Sequence, residues 1–166
     1  MREGLQRLAC ALACTGVVAG AAFAAARIAR VYVDEAERVH VVEESGREVL
    51  PPKLDGQISA SDAKLAEDAQ TSGWLVNFEN CCTSYPIPLA LVIFRDSRIR
   101  REIKPGLMIY DWDFRKHGRQ AALCDGTVHG NPVAHCALYE TLSGKKVGEW
   151  GGNGNPPAWV GKLRFE

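Results

Sequence analysis

Two stretches of this chain repeat one another at a spacing of 45 residues, and that repeat constrains the fold more than any other feature. "DAQTSGWLVNFEN" from Asp68 and "DFRKHGRQAALCD" from Asp113 both read aspartate, four residues, glycine, then an apolar run. The next runs also match, "LALVIF" from Leu89 against "AHCALY" from Ala134. Further on, "SGREV" at Ser45 echoes "SGKKV" at Ser143, with "SRIRREI" at Ser97 as a degenerate middle copy. Self-similarity of this kind marks stacked supersecondary units, none of which can bury its apolar face alone. One unit reads as a glycine turn, a strand, a long loop, a strand, a tight turn and a strand.

The apolar runs are rich in β-branched and aromatic residues and are separated by Gly, Pro, Asn or Asp, which predicts strands rather than helices. Strands are expected over 74–79, 89–95, 98–103, 107–113, 119–124, 134–140 and 145–150, with no helical period past residue 70. Upstream, "RVHVVEESGREVL" (38–50) is two valine-rich runs joined by a Ser-Gly turn, a hairpin signal. Pro51 and Pro52 then interrupt any pairing. "SASDAKLAED" (59–68) reads as a connector with a single helical turn. The tail "GGNGNPPAWVGKLRFE" reads as a turn followed by a closing segment anchored by Trp159. The chain therefore divides into 1–26, a polar segment with a hairpin over 27–58, and a β-repeat domain over 59–166. That domain holds units at about 60–104 and 105–150 and a tail at 151–166.

"DFRKHGRQAAL…CALYETLSGKKVGEW" resembles one blade of a TolB-type or WD-type β-propeller, in which an Asp–Gly turn precedes one strand and a Thr-Gly or Ser-Gly hairpin joins the last two. The meander is also similar to that of small exported bacterial proteins, and the likeness spans about 39–150. The resemblance implies an all-β, antiparallel meander of imperfect blade-like repeats. A closed propeller takes at least about four blades of four strands, more than this chain supplies. An open barrel or a sandwich-like stack follows, as a compact monomer or a homodimer, because an open meander leaves strand edges for another chain.

The N-terminus carries a different signal. "MREGLQR" is a short basic head, and "LACALACTGVVAGAAFAAA" runs from Leu8 to Ala26 without a charge. A basic head, an apolar stretch and an Ala-x-Ala ending describe a secretory signal peptide. The run is also long enough for an uncleaved helical membrane anchor over residues 8–26, but its alanine and glycine content favours cleavage. Export to a periplasmic or extracellular space is expected, where thiols tend to oxidise. Four cysteines remain after such cleavage, Cys81, Cys82, Cys124 and Cys136, an even number as a disulfide framework requires.

Pairing two strands about Gly130 sets Cys124 opposite Cys136, so a cross-strand bridge is expected there. The adjacent Cys81 and Cys82 in "ENCCTSYPIP" leave three readings open: a vicinal bridge, separate bridges to Cys124 and Cys136, or free thiols. All three stiffen or mark a proline-rich loop that presents Tyr85. The matching loop of the next unit carries Asp125, His129 and Asn131, and the two loops together form the expected recognition face. The same cysteines with His129 and His135 contain metal-ligand types, but no metal-binding spacing, so no metal or other cofactor is expected. Asp111 and Asp113 flank Trp112 on a strand; paired carboxylates do acid–base work only when one is held protonated. A Ser84, His129, Asp111 or Asp125 set lacks a nucleophile-elbow motif.

With 24% charged and 46% apolar residues the composition is globular. Zero formal net charge and the absence of a basic stripe interleaved with aromatics argue against nucleic acid as a partner. The expectation is a non-catalytic binding module of the bacterial cell envelope, of an inhibitor or immunity type, that meets a protein or cell-envelope partner and touches the membrane only through its N-terminal run if that run is uncleaved. A structural subunit that oligomerises through sheet edges is the second reading, and a hydrolase using the His129 loop the third.

Overall fold

The computed structural model describes residues 26–81, 83–129 and 135–164. The N-terminal apolar run therefore lies outside the described residues. Among the described residues, eleven strands make three antiparallel sheets. The first holds β1 (Ile28–Val33), β2 (Val39–Glu43) and β3 (Glu48–Val49) in that order. The second holds β4 (Gln57–Leu65), β5 (Thr71–Phe78), β6 (Ile87–Arg95) and β7 (Arg98–Ile103). The third holds β8 (Met108–Arg115), β9 (Gln120–Gly126), β10 (His135–Glu140) and β11 (Lys146–Trp150). The described residues are thus all-β and form no closed barrel.

Residue alternation explains how the sheets stack. Trp74, Val76, Ala90, Val92 and Phe94 face the first sheet and pack with Ile28, Val39 and Val41. Their neighbours Leu75, Leu91 and Ile93 point the other way and pack with Ile109, Trp112, Ala121 and Leu123 of the third sheet. The second sheet is therefore covered on both faces, which is why β6 reads as a near-continuous apolar run instead of alternating. The far face of the third sheet (Ala122, Cys124, Cys136 and Leu138) is capped by Val160 and Leu163 of the tail. Arg115 fixes that cap, its Nε donating to the Trp159 carbonyl at 2.7 Å. Four layers result, each built from the next stretch of chain.

The stretch 59–68 departs from expectation, since most of it lies in strand β4. Asp62 has a positive φ of 48°, and the register with β5 shifts between Ser61 and Lys64. Such bulges re-aim backbone groups, and here the Asp62 carbonyl accepts the buried Trp112 indole N–H at 3.2 Å. The 27–58 segment forms the whole first sheet, including the expected 38–50 hairpin, and shares a core with the second.

Because the strands alternate in direction, short turns gather at one end of the stack and longer loops at the other. At the turn end Asp68 closes the β4–β5 connection. Its Oδ1 accepts the N–H groups of Gln70 and Thr71, both at 2.9 Å, and its Oδ2 pairs with Arg95 at 2.9 Å. Burial raises the Asp68 carboxyl's pKa, but these donors outweigh burial and hold it below the ordinary value. Gly118, at φ +82°, touches this turn: a Cβ there would sit 2.7 Å from that of Ala66. Glycine is the residue that tolerates both the conformation and the approach.

Candidate functional site

The loop end carries the sequence-predicted recognition residues, and the structure sorts them into surface and interior. Tyr85 is 59% exposed in the β5–β6 loop. The Thr83 hydroxyl donates to the Tyr85 carbonyl at 2.6 Å, and Asn80 donates to Thr83 at 3.3 Å. The loop is thus clasped by polar side chains. Cys81 is exposed and free, which corrects the bridging roles considered for it, and Cys82 lies outside the described residues. Tyr85, Pro86 and Ile58 wall a cleft of about 430 Å³, with Glu79 and Asn80 at its polar side.

Other large apolar side chains are exposed in connections and strand ends at this end of the stack. Leu50 is 58%, Ile58 48% and Leu107 43% exposed. Lys53 Nζ donates to the Ile58 carbonyl at 3.2 Å, and Lys104 lies over the Phe78 ring at 5.9 Å. Beside them Leu50, Pro51 and Pro52 line a smaller cleft of about 80 Å³ whose floor includes Trp74. Periodicity could not reveal this grouping, because its members come from four separate connections and strand ends.

Cys124 and Cys136 face each other in register and are disulfide-bonded, their Cα atoms 4.0 Å apart. The staple ties the base of the β9–β10 loop. One residue along, Asp125 proves to be interior, with 2% of its surface exposed, which corrects its assignment to the recognition surface. The His135 Nδ1 meets Asp125 Oδ1 at that base, and His135 Nε2 meets Glu149 Oε1 at 2.9 Å. Lys146 also reaches Glu149, at 2.6 Å. His129 is exposed in the same loop, and Asn131 lies outside the described residues.

A carboxylate at each ring nitrogen favours the imidazolium form of His135. The Asp125 contact is the largest influence; it raises the His135 pKa, against burial and with help from Glu149. The stabilisation is fully present below the unfolded value of about 6.5 and fades as pH rises through the higher folded value. Stability measured by urea unfolding should therefore fall between mildly acidic and alkaline pH, and the fall should be smaller in His135→Gln. An identical pH dependence in both proteins would show that the clamp contributes nothing. His40 is held in the same way between Asp34 and Glu48, both at 2.9 Å, and is also raised.

Asp111 on β8 does not have the environment of a general acid. Burial raises the Asp111 pKa, but the N–H groups of Arg164 and Trp112, with Lys64, bring it below the ordinary range. Asp113 pairs with Arg115 at 2.6 Å. Ser84 lines the Tyr85 cleft, whereas Asp111 lines a different one beside Lys64 and Lys162, so a Ser84–Asp111 set is not assembled. Among the described residues no three His, Cys, Asp or Glu side chains converge to hold a metal. No protein-family model matches the chain, and no curated protein matches it.

Proposed function

We propose that this protein is an exported, non-catalytic binding module of the bacterial cell envelope that holds a protein partner on its loop end. The observation that carries this reading is the exposure of Leu50, Ile58, Tyr85 and Leu107 at one end of the stack, where Ile58 and Tyr85 wall one cleft and Leu50 lines another. Contiguous exposed apolar surface with a polar rim is how interaction sites differ from ordinary protein surface. A pre-organised aromatic such as Tyr85 loses little entropy on binding. The Cys124–Cys136 bridge supports an oxidising location. The stacked antiparallel meanders support reading each unit as a propeller-like blade.

A photo-crosslinking amino acid placed at position 85 tests the proposal, with position 147 as a comparison. Val147 is exposed on the edge strand β11, away from the loop end. A discrete adduct with a different protein from position 85 and none from 147 is expected. Adducts of twice the chain mass from position 147 would favour the edge-pairing subunit instead. No adduct at position 85 would sink the recognition-face reading.

A further inference from the structure

The chain has no net charge, yet the two ends of the stack are charged oppositely. At the turn end Arg98, Arg101, Lys116, Arg119 and Lys145 are all exposed. Among the described residues, Arg101 and Arg119 use their guanidinium groups only on neighbouring carbonyls, those of Arg100 and Lys116. The carboxylates around them are already engaged: Asp68 with Arg95, Asp96 with Arg100, Glu67 with His117 and Asp113 with Arg115. Glu140 accepts a hydrogen bond from Ser143. Carboxylates collect at the other end instead, where Glu35, Glu37, Asp55 and Glu79 are exposed.

The five cations are linked across three connections. A Cβ on Gly144 would lie 3.3 Å from Arg101 Cδ, which brings β7 beside Lys145. From there the Thr141 N–H donates to the Arg119 carbonyl at 3.1 Å, and Arg119 in turn meets Lys116. The patch therefore runs from the edge of the second sheet across the β10–β11 turn to the β8–β9 turn. The chain also enters the fold at this end. Ile28 N–H donates to the Ala69 carbonyl at 2.7 Å, and Arg27 pairs with Glu44 of the β2–β3 turn at 2.9 Å. In sequence, the uncharged run of residues 8–26 is joined directly to that point.

We propose that the turn end docks on an anionic lipid surface, with Arg98, Arg101, Lys116, Arg119 and Lys145 against the head groups. A lipid plane suits cations spread over several turns, since it asks for charge and not for a fixed geometry. Each basic side chain near such a surface adds attraction that decays within a Debye length. The loop end then faces away from the membrane, open to a partner. This inference rests on charge placement and is independent of the recognition face.

The test is flotation of the full-length chain with vesicles of phosphatidylcholine and with vesicles enriched in phosphatidylglycerol. Whatever the basic head and the apolar run contribute is common to wild type and variant, so the change in the ratio of the two affinities between them reports the patch. Preference for the anionic vesicles is expected, diminishing at high salt. The double variant Arg101→Gln, Lys145→Gln should lose it by about 25-fold, roughly fivefold per charge. Lys53→Gln at the loop end should leave it unchanged. Equal affinity for both vesicles, or a preference unchanged in the double variant, overturns the proposal. Binding to heparin without a vesicle preference also overturns it, by assigning the patch to a soluble polyanion. Both substituted side chains are exposed, so an unchanged thermal melt is expected and checks that the variant is folded.

Discussion

Trp112→Ala should cost about 4 kcal/mol of folding stability, within the range of about 3–5 for large aromatics removed from a core. Trp112 is fully buried between the second and third sheets, among Leu75, Leu91, Ile93 and Leu123. Its ring meets Phe114 edge-on at 5.0 Å, and Lys64 Nζ stands 5.0 Å from its centroid. Gly73 shows how closely this site is packed: a Cβ there would come 2.9 Å from the indole and 2.7 Å from the Val92 carbonyl. A glycine inside a strand is explained by such an approach. With total stabilities of about 5–15 kcal/mol, the variant loses a large part of its margin. Urea unfolding followed by circular dichroism measures this; a loss below about 1 kcal/mol would contradict a central role for this interface.

Loss of the Cys124–Cys136 bridge should be nearly as severe. The two cysteines are 12 residues apart, and removing a cross-link that closes a loop of that size costs about 3 kcal/mol. Both positions are buried in the layer beneath the tail, so Cys124→Ala with Cys136→Ala also leaves a small void. Denaturation of the double variant, compared with reduced and oxidised wild type, separates the two contributions. Reduced wild type should lie between the other two. Equal stability with and without reductant would mean that the bridge does not constrain the unfolded chain.

How far the sequence reveals this architecture depends on burial. The strands past residue 70 were legible because β5, β6 and β9 are enclosed on both faces and so carry uninterrupted apolar runs. β4 was not, since it is an edge strand with two register shifts and the sequence "SASDAKL". The Asp–Gly match found the 45-residue period but not the local structure. Asp68 lies in a turn while Asp113 lies inside β8; Gly73 lies inside β5 while Gly118 lies in a turn. The hairpin about Gly130 did give the Cys124–Cys136 register, because strand pairing is arithmetic once the turn is placed. The His135 clamp was out of reach: its three members come from β9, β10 and β11 and meet only when both registers are known. Tyr85 was legible as a loop aromatic, but its companions Leu50, Ile58 and Leu107 were not.

The layered stack also has a consequence for synthesis. Each layer leans on the one made just before it, so no layer must wait for a distant segment to appear. The first sheet can serve as a template for the second while the ribosome is still producing the third, and the long closures that slow most all-β chains are avoided. The tail that caps the stack is made after all three sheets. Until it arrives, the apolar side of the newest sheet is bare, and the brief interval between the emergence of β11 and the seating of Val160 is when a nascent chain of this kind is most exposed to aggregation.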